Sequence, residues 1–337
     1  MADFVHLHLH SEYSLLDGAC RIGDIPAAAK AAGHSAVALT DHGVMYGAIA
    51  FYKACKDAGI KPIIGCEVYV ASKTRFEKSQ KNVYDNSHLV LLCKNETGYK
   101  NLIYMVSKGF TEGFYSKPRI DLELLSGHSD GLVALSGCLS GYIPRLILDG
   151  NIEEAEEYAV KLNGIFGEGN FYLELQNHFL DGQTRVNEAL SGISERTGIP
   201  LVATNDVHYI KKSDSELQNV LTCIQTGNTV SEGSGIGFET DEFYYKSTEQ
   251  MQALFGKYKD AVSNTVKIAD MCELDFTFGK VYLPSFDVPD GKNPKAYLKE
   301  LAYEGLERRV RDGDIVYDDS HTYEDYKYRI EYEHVVI

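Results

Sequence analysis

The residues best able to do chemistry crowd the N-terminus, where His6, His8 and His10 alternate with leucines. On an extended strand, residues two apart face the same side, so this spacing predicts three imidazoles on one face. Protonated, the rings would repel one another; neutral, they form a nitrogen surface suited to a divalent metal. A lone histidine is more often a buried ring with its hydrogen bonds satisfied, but three in alternation favour metal ligation. Similar residues recur. Asp41 and His42 follow the run Ala36–Thr40, and Glu67 lies in Pro62–Val70. Cys138 follows Gly131–Leu135, and Asp206 and His208 follow Pro200–Ala203, where Asp-x-His repeats the same-face geometry. His88 differs, because it opens its apolar run instead of closing it. Taken singly, each has an ordinary role available: Asp41 or Asp206 as a helix cap, Cys66 or Cys138 as a small buried hydrophobe, Glu67 as a solvated charge. Those roles explain poorly why such residues collect where β-runs end.

The elements that must position them are short β-rich runs: Phe4–His10, Ala36–Thr40, Pro62–Val70, His88–Cys93, Gly131–Leu135, Phe171–Leu175 and Pro200–Ala203. Helical stretches lie between them, at Ile25–Ala32, Ala48–Ala58, Ile152–Phe166 and Glu188–Thr197. Gly33, Gly59 and Gly198 stand where three of these would close. Strand and helix in alternation predict an α/β fold with a mostly parallel sheet or barrel, whose sites gather beyond the C-terminal strand ends. Thr229–Gly237 reads as an exposed loop, since its Gly235–Ile236–Gly237 lacks the strand-to-helix context of a phosphate loop. Near residue 284 the character changes. Leu283–Gly291 reads as a connector, Pro294–Arg309 as a helix, and the acidic, tyrosine-rich remainder ends on Val335–Val336–Ile337, as expected of a chain cut inside an element. The expected division is therefore 1–283 and 284–337.

Composition narrows the classes. The 337 residues include 49 acidic and 33 basic ones, for a net charge of −16, with 44% hydrophobic and 24% charged residues, which are globular values. No apolar run approaches the ~20 residues that cross a bilayer, and no signal segment opens the chain, so a cytoplasmic protein without membrane contact is expected. Seven cysteines with no CxxC pair fit a reducing compartment better than a disulfide scaffold or zinc knuckle. The acidity opposes nucleic-acid binding by overall charge; such a role needs local cations or a partner domain.

Eight ordered blocks carry a family resemblance: HLHLHSEYSLLDG (6–18), ALTDHGVMYG (38–47), GCEVYV (65–70), HLVLLCKNETGYKNL (88–102), KPRID (117–121), ALSGCLSG (134–141), FYLELQNH (171–178) and ATNDVHY (203–209). The chain resembles the PHP (polymerase and histidinol phosphatase) domain, and most narrowly the PHP domain that opens bacterial DNA polymerase III alpha subunits. DEFYYKS (241–247), VYLPSFDVPDG (281–291) and YLKELAYEGLERRV (297–310) extend the likeness toward Ile337. The resemblance implies an irregular seven-stranded (β/α)7 barrel and a short C-terminal segment leading into the polymerase core. It also implies a ligand set of His8, His10, Asp17, His42, Glu67, His88, Cys138, Asp206 and His208, with His6 behind the ligands.

Five imidazoles, three carboxylates and one thiolate suit zinc, manganese or iron better than calcium or magnesium. Asp17, Glu67, Asp206 and a Cys138 thiolate would sum to −4, and three divalent ions would turn that to about +2, an anion-attracting pocket in an acidic chain. The implied reaction is metal-dependent 3′→5′ hydrolysis at a DNA 3′ end, centred on His8, His10, Asp206 and His208. Lys117 and Arg119, flanking Pro118, are candidate phosphate contacts near the barrel mouth, with a solvated loop pair as the alternative. Glu174, Gln176 and His178 alternate after their run and are expected behind the ligands or facing substrate. The implied partners are the remaining polymerase domains and replisome subunits. Two other readings carry weight: a docking module whose metals only staple the fold, and a stand-alone phosphatase of histidinol-phosphate type, against which residues 241–337 speak. Polymerisation by this chain alone is not expected, because Asp312–Gly313–Asp314 sits in a polar loop without a strand pattern.

Overall fold

A computed structural model describes all residues except 1–3, 16, 79–83, 233–239, 259 and 282. Gly235–Ile236–Gly237, expected in a loop, lies outside the described residues. Packing divides the chain into two units, one up to Phe276 and one from Thr277 onward.

The first unit is built on a seven-stranded sheet of β1 (Ala36–Leu39), β2 (Lys61–Val70), β3 (Ser87–Cys93), β4 (Arg119–Ile120), β5 (Leu132–Leu135), β6 (Phe171–Leu175) and β7 (Leu201–Ala203). The spatial order is β1-β2-β3-β5-β6-β7, with β4 on β2. Most pairs are parallel, as short runs linked by helices require. The exception is β3, antiparallel to both β2 and β5. A strand that runs backwards presents its first residues at the end where its neighbours present their last. His88, at the start of β3, therefore belongs to the same rim as Glu67 and Cys138.

The run Phe4–His10 is extended but forms no continuous ladder. The Ala38 N–H donates to the His6 carbonyl on one side, while the His10 N–H donates to the Val207 carbonyl on the other. The segment thus spans the gap between β1 and the residues after β7, and the sheet curls toward a barrel. Leu7 packs in the inner core with Val90, Leu92, Val133 and Val202, whereas Leu9 packs in the layer between sheet and helices. Alternation changes phase between these two leucines. His6 consequently ends in the outer layer, and only His8 and His10 share a side. Inside, Ile268 and Ala269 of the helix Ser263–Met271, with Cys272 just after it, close the apolar core.

Helices cover the outer face. Ala48–Ala58 closes at Gly59 with φ 74°, the left-handed turn that glycine adopts without strain. Gln183–Thr197 begins five residues before the expected Glu188, its Gln183 carboxamide accepting from the His178 N–H at 2.7 Å. The second unit holds two helices, Pro294–Arg311 and Tyr323–Val336, joined by Lys299 and Tyr303 on the Glu331 carboxylate, each at 2.7 Å. No helix among the described residues is long and apolar enough to cross a membrane.

Candidate metal centre

At the rim where β1, β2, β5 and β7 end and β3 begins, a cleft of about 660 Å³ opens, and Asp17, His42, His88, Cys138, Asp206 and His208 line it. His8, His10 and Glu67 lie fully buried beneath. Glu67 is the hub. Its Oε1 stands 3.3 Å from His8 Nε2 and 2.8 Å from His88 Nδ1, and its Oε2 stands 2.5 Å from His42 Nδ1 and 3.6 Å from His10 Nε2. Asp206 Oδ1 lies 3.2 Å from His8 Nε2 and 3.0 Å from His10 Nε2, and Asp17 Oδ2 lies 3.2 Å from His42 Nε2. Cys138 Sγ is 3.4 Å from His88 Nδ1. Three triplets have donor atoms within 4.8 Å of one another: His10–His42–His208, His8–His10–Asp206 and His42–Glu67–His88. All nine residues expected as ligands thus meet at one place.

Hydrogen bonds behind the rings fix which nitrogen faces inward. His8 Nδ1 donates to Glu174 Oε1 at 2.7 Å, and that carboxylate also accepts from the Gly137 N–H, Gln176 and Thr204. His10 Nδ1 donates to Ser14 Oγ at 3.0 Å, since the Ser14 hydroxyl donates onward to Asp41. His208 Nδ1 donates to the Asp206 carbonyl at 2.7 Å. In the neutral rings, the Nε2 lone pairs of His8 and His10 then confront each other at 3.1 Å, with Asp206 Oδ1 beside both. Three acceptors facing one another repel unless a cation lies among them. Glu67 Oε2, Asp206 Oδ1 and Asp17 Oδ1 are buried without a hydrogen bond. These orphaned oxygens and bare nitrogens are the donor set of a divalent metal, and the residues fit the group.

Without metal the electrostatics are split. Burial opposes protonation of His8 and His42, yet Asp206, Glu174 and Glu67 raise His8, and Asp17 and Glu67 raise His42, well above the ordinary imidazole value. A metal would have to displace a proton from each. Burial, then His42 and His208, lower His10 to about 3, which keeps it a neutral donor. Burial opposes ionisation of Asp206, yet the His8 and His208 rings outweigh it and hold the carboxyl well below its ordinary range. Burial, Glu67 and Asp206 push the Cys138 thiol up, so a metal would have to displace its proton. Asp206 has φ 44°, a left-handed backbone that turns its carboxylate toward the rings.

A model of the PHP domain matches residues 6–178. The chain belongs to the PHP domain family. It is 47% identical over 305 residues to the DNA polymerase III subunit alpha of Treponema pallidum, covering 90% of this chain and 26% of the relative. It is 42% identical over 319 residues to that of Thermus aquaticus, covering 92% and 26%. The chain thus spans about a quarter of the length of these curated relatives. A crystal structure from Bifidobacterium adolescentis, described as a candidate metal-dependent phosphoesterase, aligns with a TM-score of 0.41 and 15% identity over 62% of this chain and 88% of that one.

Two expectations for this PHP chain need correction. Arg119 does not reach the cleft. It is 1% exposed, its Nε donates to the Gly113 carbonyl at 3.1 Å and its Nη2 to the Glu77 carbonyl at 2.7 Å, so its guanidinium clamps a loop. His6 does not stand behind the ligands; its Nε2 pairs with the Lys246 carbonyl at 2.9 Å and its ring lies 4.2 Å from Tyr245. Lys117 does line the cleft, its Nζ 5.2 Å from the Tyr69 ring centre. Arg145, from the helix Tyr142–Leu148, lines it too and was missed; as one cation in an apolar helix, it carries no sequence signal. Of the alternating trio, Glu174 backs His8 and Gln176 holds Glu174 in place. His178 is fully buried, its Nε2 donating to the Asn205 carbonyl and its Nδ1 accepting from Gln183. Asp41, which accepts from Ser11 and Ser14, organises the turn bearing Asp17.

Proposed function

We propose that this chain is the phosphoesterase module of a replicative polymerase alpha subunit and that it removes nucleotides from DNA 3′ ends by 3′→5′ phosphodiester hydrolysis. The observation that carries the reading is the convergence of nine metal-type donors on an open cleft, three of their carboxylate oxygens buried without hydrogen bonds. His8, His10, Asp17, His42, Glu67, His88, Cys138, Asp206 and His208 would hold divalent ions, three in number, of zinc, manganese or iron type. When bound, such ions supply Lewis acidity toward phosphoryl oxygens and a deprotonated water near neutral pH.

The chain's own residues do the rest. Glu174, Ser14 and the Asp206 carbonyl hold three imidazoles in the tautomer that presents Nε2. Lys117 and Arg145 bring positive charge to the cleft walls of an otherwise acidic chain, where an anionic phosphodiester must approach. Residues 1–283 would form the catalytic barrel, and 284–337 would lead to the polymerase core and its replisome partners in the cytoplasm. A mere folding staple has no use for a cleft of about 660 Å³ above its ligands.

The test is Asp206→Asn, which removes a negative donor at nearly constant shape. The manganese- or zinc-loaded wild type should shorten single-stranded DNA from its 3′ end and cleave bis-p-nitrophenyl phosphate. The variant should lose roughly a hundredfold or more. A folded, metal-loaded wild type that cleaves neither substrate above the variant would leave the staple reading in its place.

A further inference from the structure

Beside the cluster a smaller hollow of about 150 Å³ opens off the main cleft. The two share Asp17, His42, Tyr69, Lys117 and Gln225, so the hollow continues directly from the proposed ligands. Its outer walls are apolar, formed by Leu15, Val44, Phe110 and Pro118. Leu15 is 67% and Phe110 38% exposed, large apolar side chains kept in water next to a highly polar centre. Scattered exposed hydrophobics need no explanation, but these two converge on one concave wall.

Phe110 is firmly placed. It lies in the last turn of the helix Glu96–Thr111, which presses against the segment carrying Lys117. A Cβ on Gly109 would stand 3.2 Å from the Pro118 carbonyl oxygen, and one on Gly113 only 1.8 Å from that of Arg119. The approach at Gly113 leaves no room for a Cβ and that at Gly109 leaves little, and the Arg119 guanidinium on the Gly113 carbonyl locks the contact. The Phe110 ring also stacks on Phe114, with centres 6.2 Å apart and planes at 20°. On the partition between hollow and cleft, the Lys117 ammonium lies over the Tyr69 ring.

A matching ligand carries an anionic phosphate at one end and a flat, largely apolar group close beside it. A nucleotide has that form. We propose that the hollow receives the nucleobase of a nucleotide whose phosphate lies at the cluster, with Phe110 as its stacking face. This rests on the phosphoesterase reading of the same site and adds a substrate preference to it: nucleoside-bearing phosphates over plain ones. Selectivity among bases should be slight, because every base has a π-face.

The experiment is calorimetric binding to the metal-loaded full chain, with deoxyadenosine 5′-monophosphate and inorganic phosphate as probes. The nucleotide should bind more tightly than phosphate. Phe110→Ala should weaken it roughly tenfold, Phe110→Tyr should restore it, and phosphate affinity should not change in either variant. Circular dichroism checks the fold of each. A wild type that binds the nucleotide no better than phosphate, or an alanine variant that loses both equally or neither, overturns the proposal. If the base-dependent difference is seen while neither DNA nor bis-p-nitrophenyl phosphate is hydrolysed, the base site stands and the hydrolytic reading fails.

Discussion

Replacing Glu174 with glutamine changes one atom type in the carboxylate behind His8. Glu174 Oε1 accepts from His8 Nδ1 at 2.7 Å, Gln176 at 3.0 Å and Thr204 at 2.5 Å, while Oε2 accepts from the Gly137 N–H at 2.9 Å. A glutamine offers one oxygen and one NH2, so whichever way it turns, a donor faces a donor. With its oxygen kept toward His8, the buried Gly137 N–H loses its partner, at about 1–3 kcal/mol. The anion that holds His8 with Nε2 inward is also gone, and losing such a partner weakens metal binding by roughly 10- to 100-fold. Two measurements separate the effects. Guanidinium unfolding of the EDTA-treated chain reads the first, and calorimetric titration with zinc or manganese reads the second. Unchanged metal affinity in a destabilised variant would make Glu174 an ordinary buried acceptor. Unchanged stability as well would refute the assigned His8 tautomer.

Two further outcomes concern stability. His178 is fully buried as a neutral ring, and burial lowers it from 6.5 to about 4, so it stabilises the fold above its unfolded value and loses that contribution as pH falls from about 6.5 to about 4. The loss is about 3 kcal/mol; unfolding free energies from pH 7 to 4.5 should fall less steeply for His178→Gln, and equal slopes would reject the assignment. Gly98→Ala places a Cβ 1.9 Å from the Gly131 carbonyl oxygen and should cost roughly 2 kcal/mol or more, whereas Gly164→Ala, a helical position with open space, should be neutral or stabilise by up to about 1 kcal/mol; unfolding midpoints decide both.

The α/β alternation and most strand positions were legible because short apolar runs punctuated by glycine-closed helices leave few alternatives. Ala48–Ala58 and Ile152–Phe166 form helices over the expected ranges. What local pattern could not convey was strand direction. His88 looks misplaced at the start of its run until β3 is seen to run against its neighbours, which brings it to within 2.8 Å of Glu67. His6 shows the opposite failure. Period-two reasoning groups it with His8 and His10, but the phase change between Leu7 and Leu9 depends on pairing with β1 on one side and Val207 on the other. Arg119 looks like an accessible phosphate contact because it is a cation beside a proline loop, and only the tertiary approach of two carbonyl-bearing segments, at Arg75–Glu77 and at Gly113, buries it. Glu174 and Asp41 were visible as acidic residues near run ends. Their part in orienting rings follows only from long-range contacts, Glu174 with His8 being 166 positions apart.

The same contacts make the site costly to fold without cations. Glu67, fully buried, stands within 3.6 Å of His8, His10, His42 and His88, and its Oε2 accepts no hydrogen bond. Buried carboxylates left this way cost far more than surface ones, and a ring protonated to compensate brings its own desolvation. A core selected for stability alone would fill this space with leucines, as the interior just below it does. Here the polar layer begins where Leu7 gives way to His8, and the strained backbone of Asp206 adds to the cost. That cost sits next to an open cleft with two cations on its walls. Stability given up at one place, beside a solvent-accessible volume, is what a binding site requires and a structural staple does not. The arrangement also explains why Glu174, Ser14 and Asp41 matter: with the rings held by hydrogen bonds from behind, the donors need little reorganisation to receive a cation.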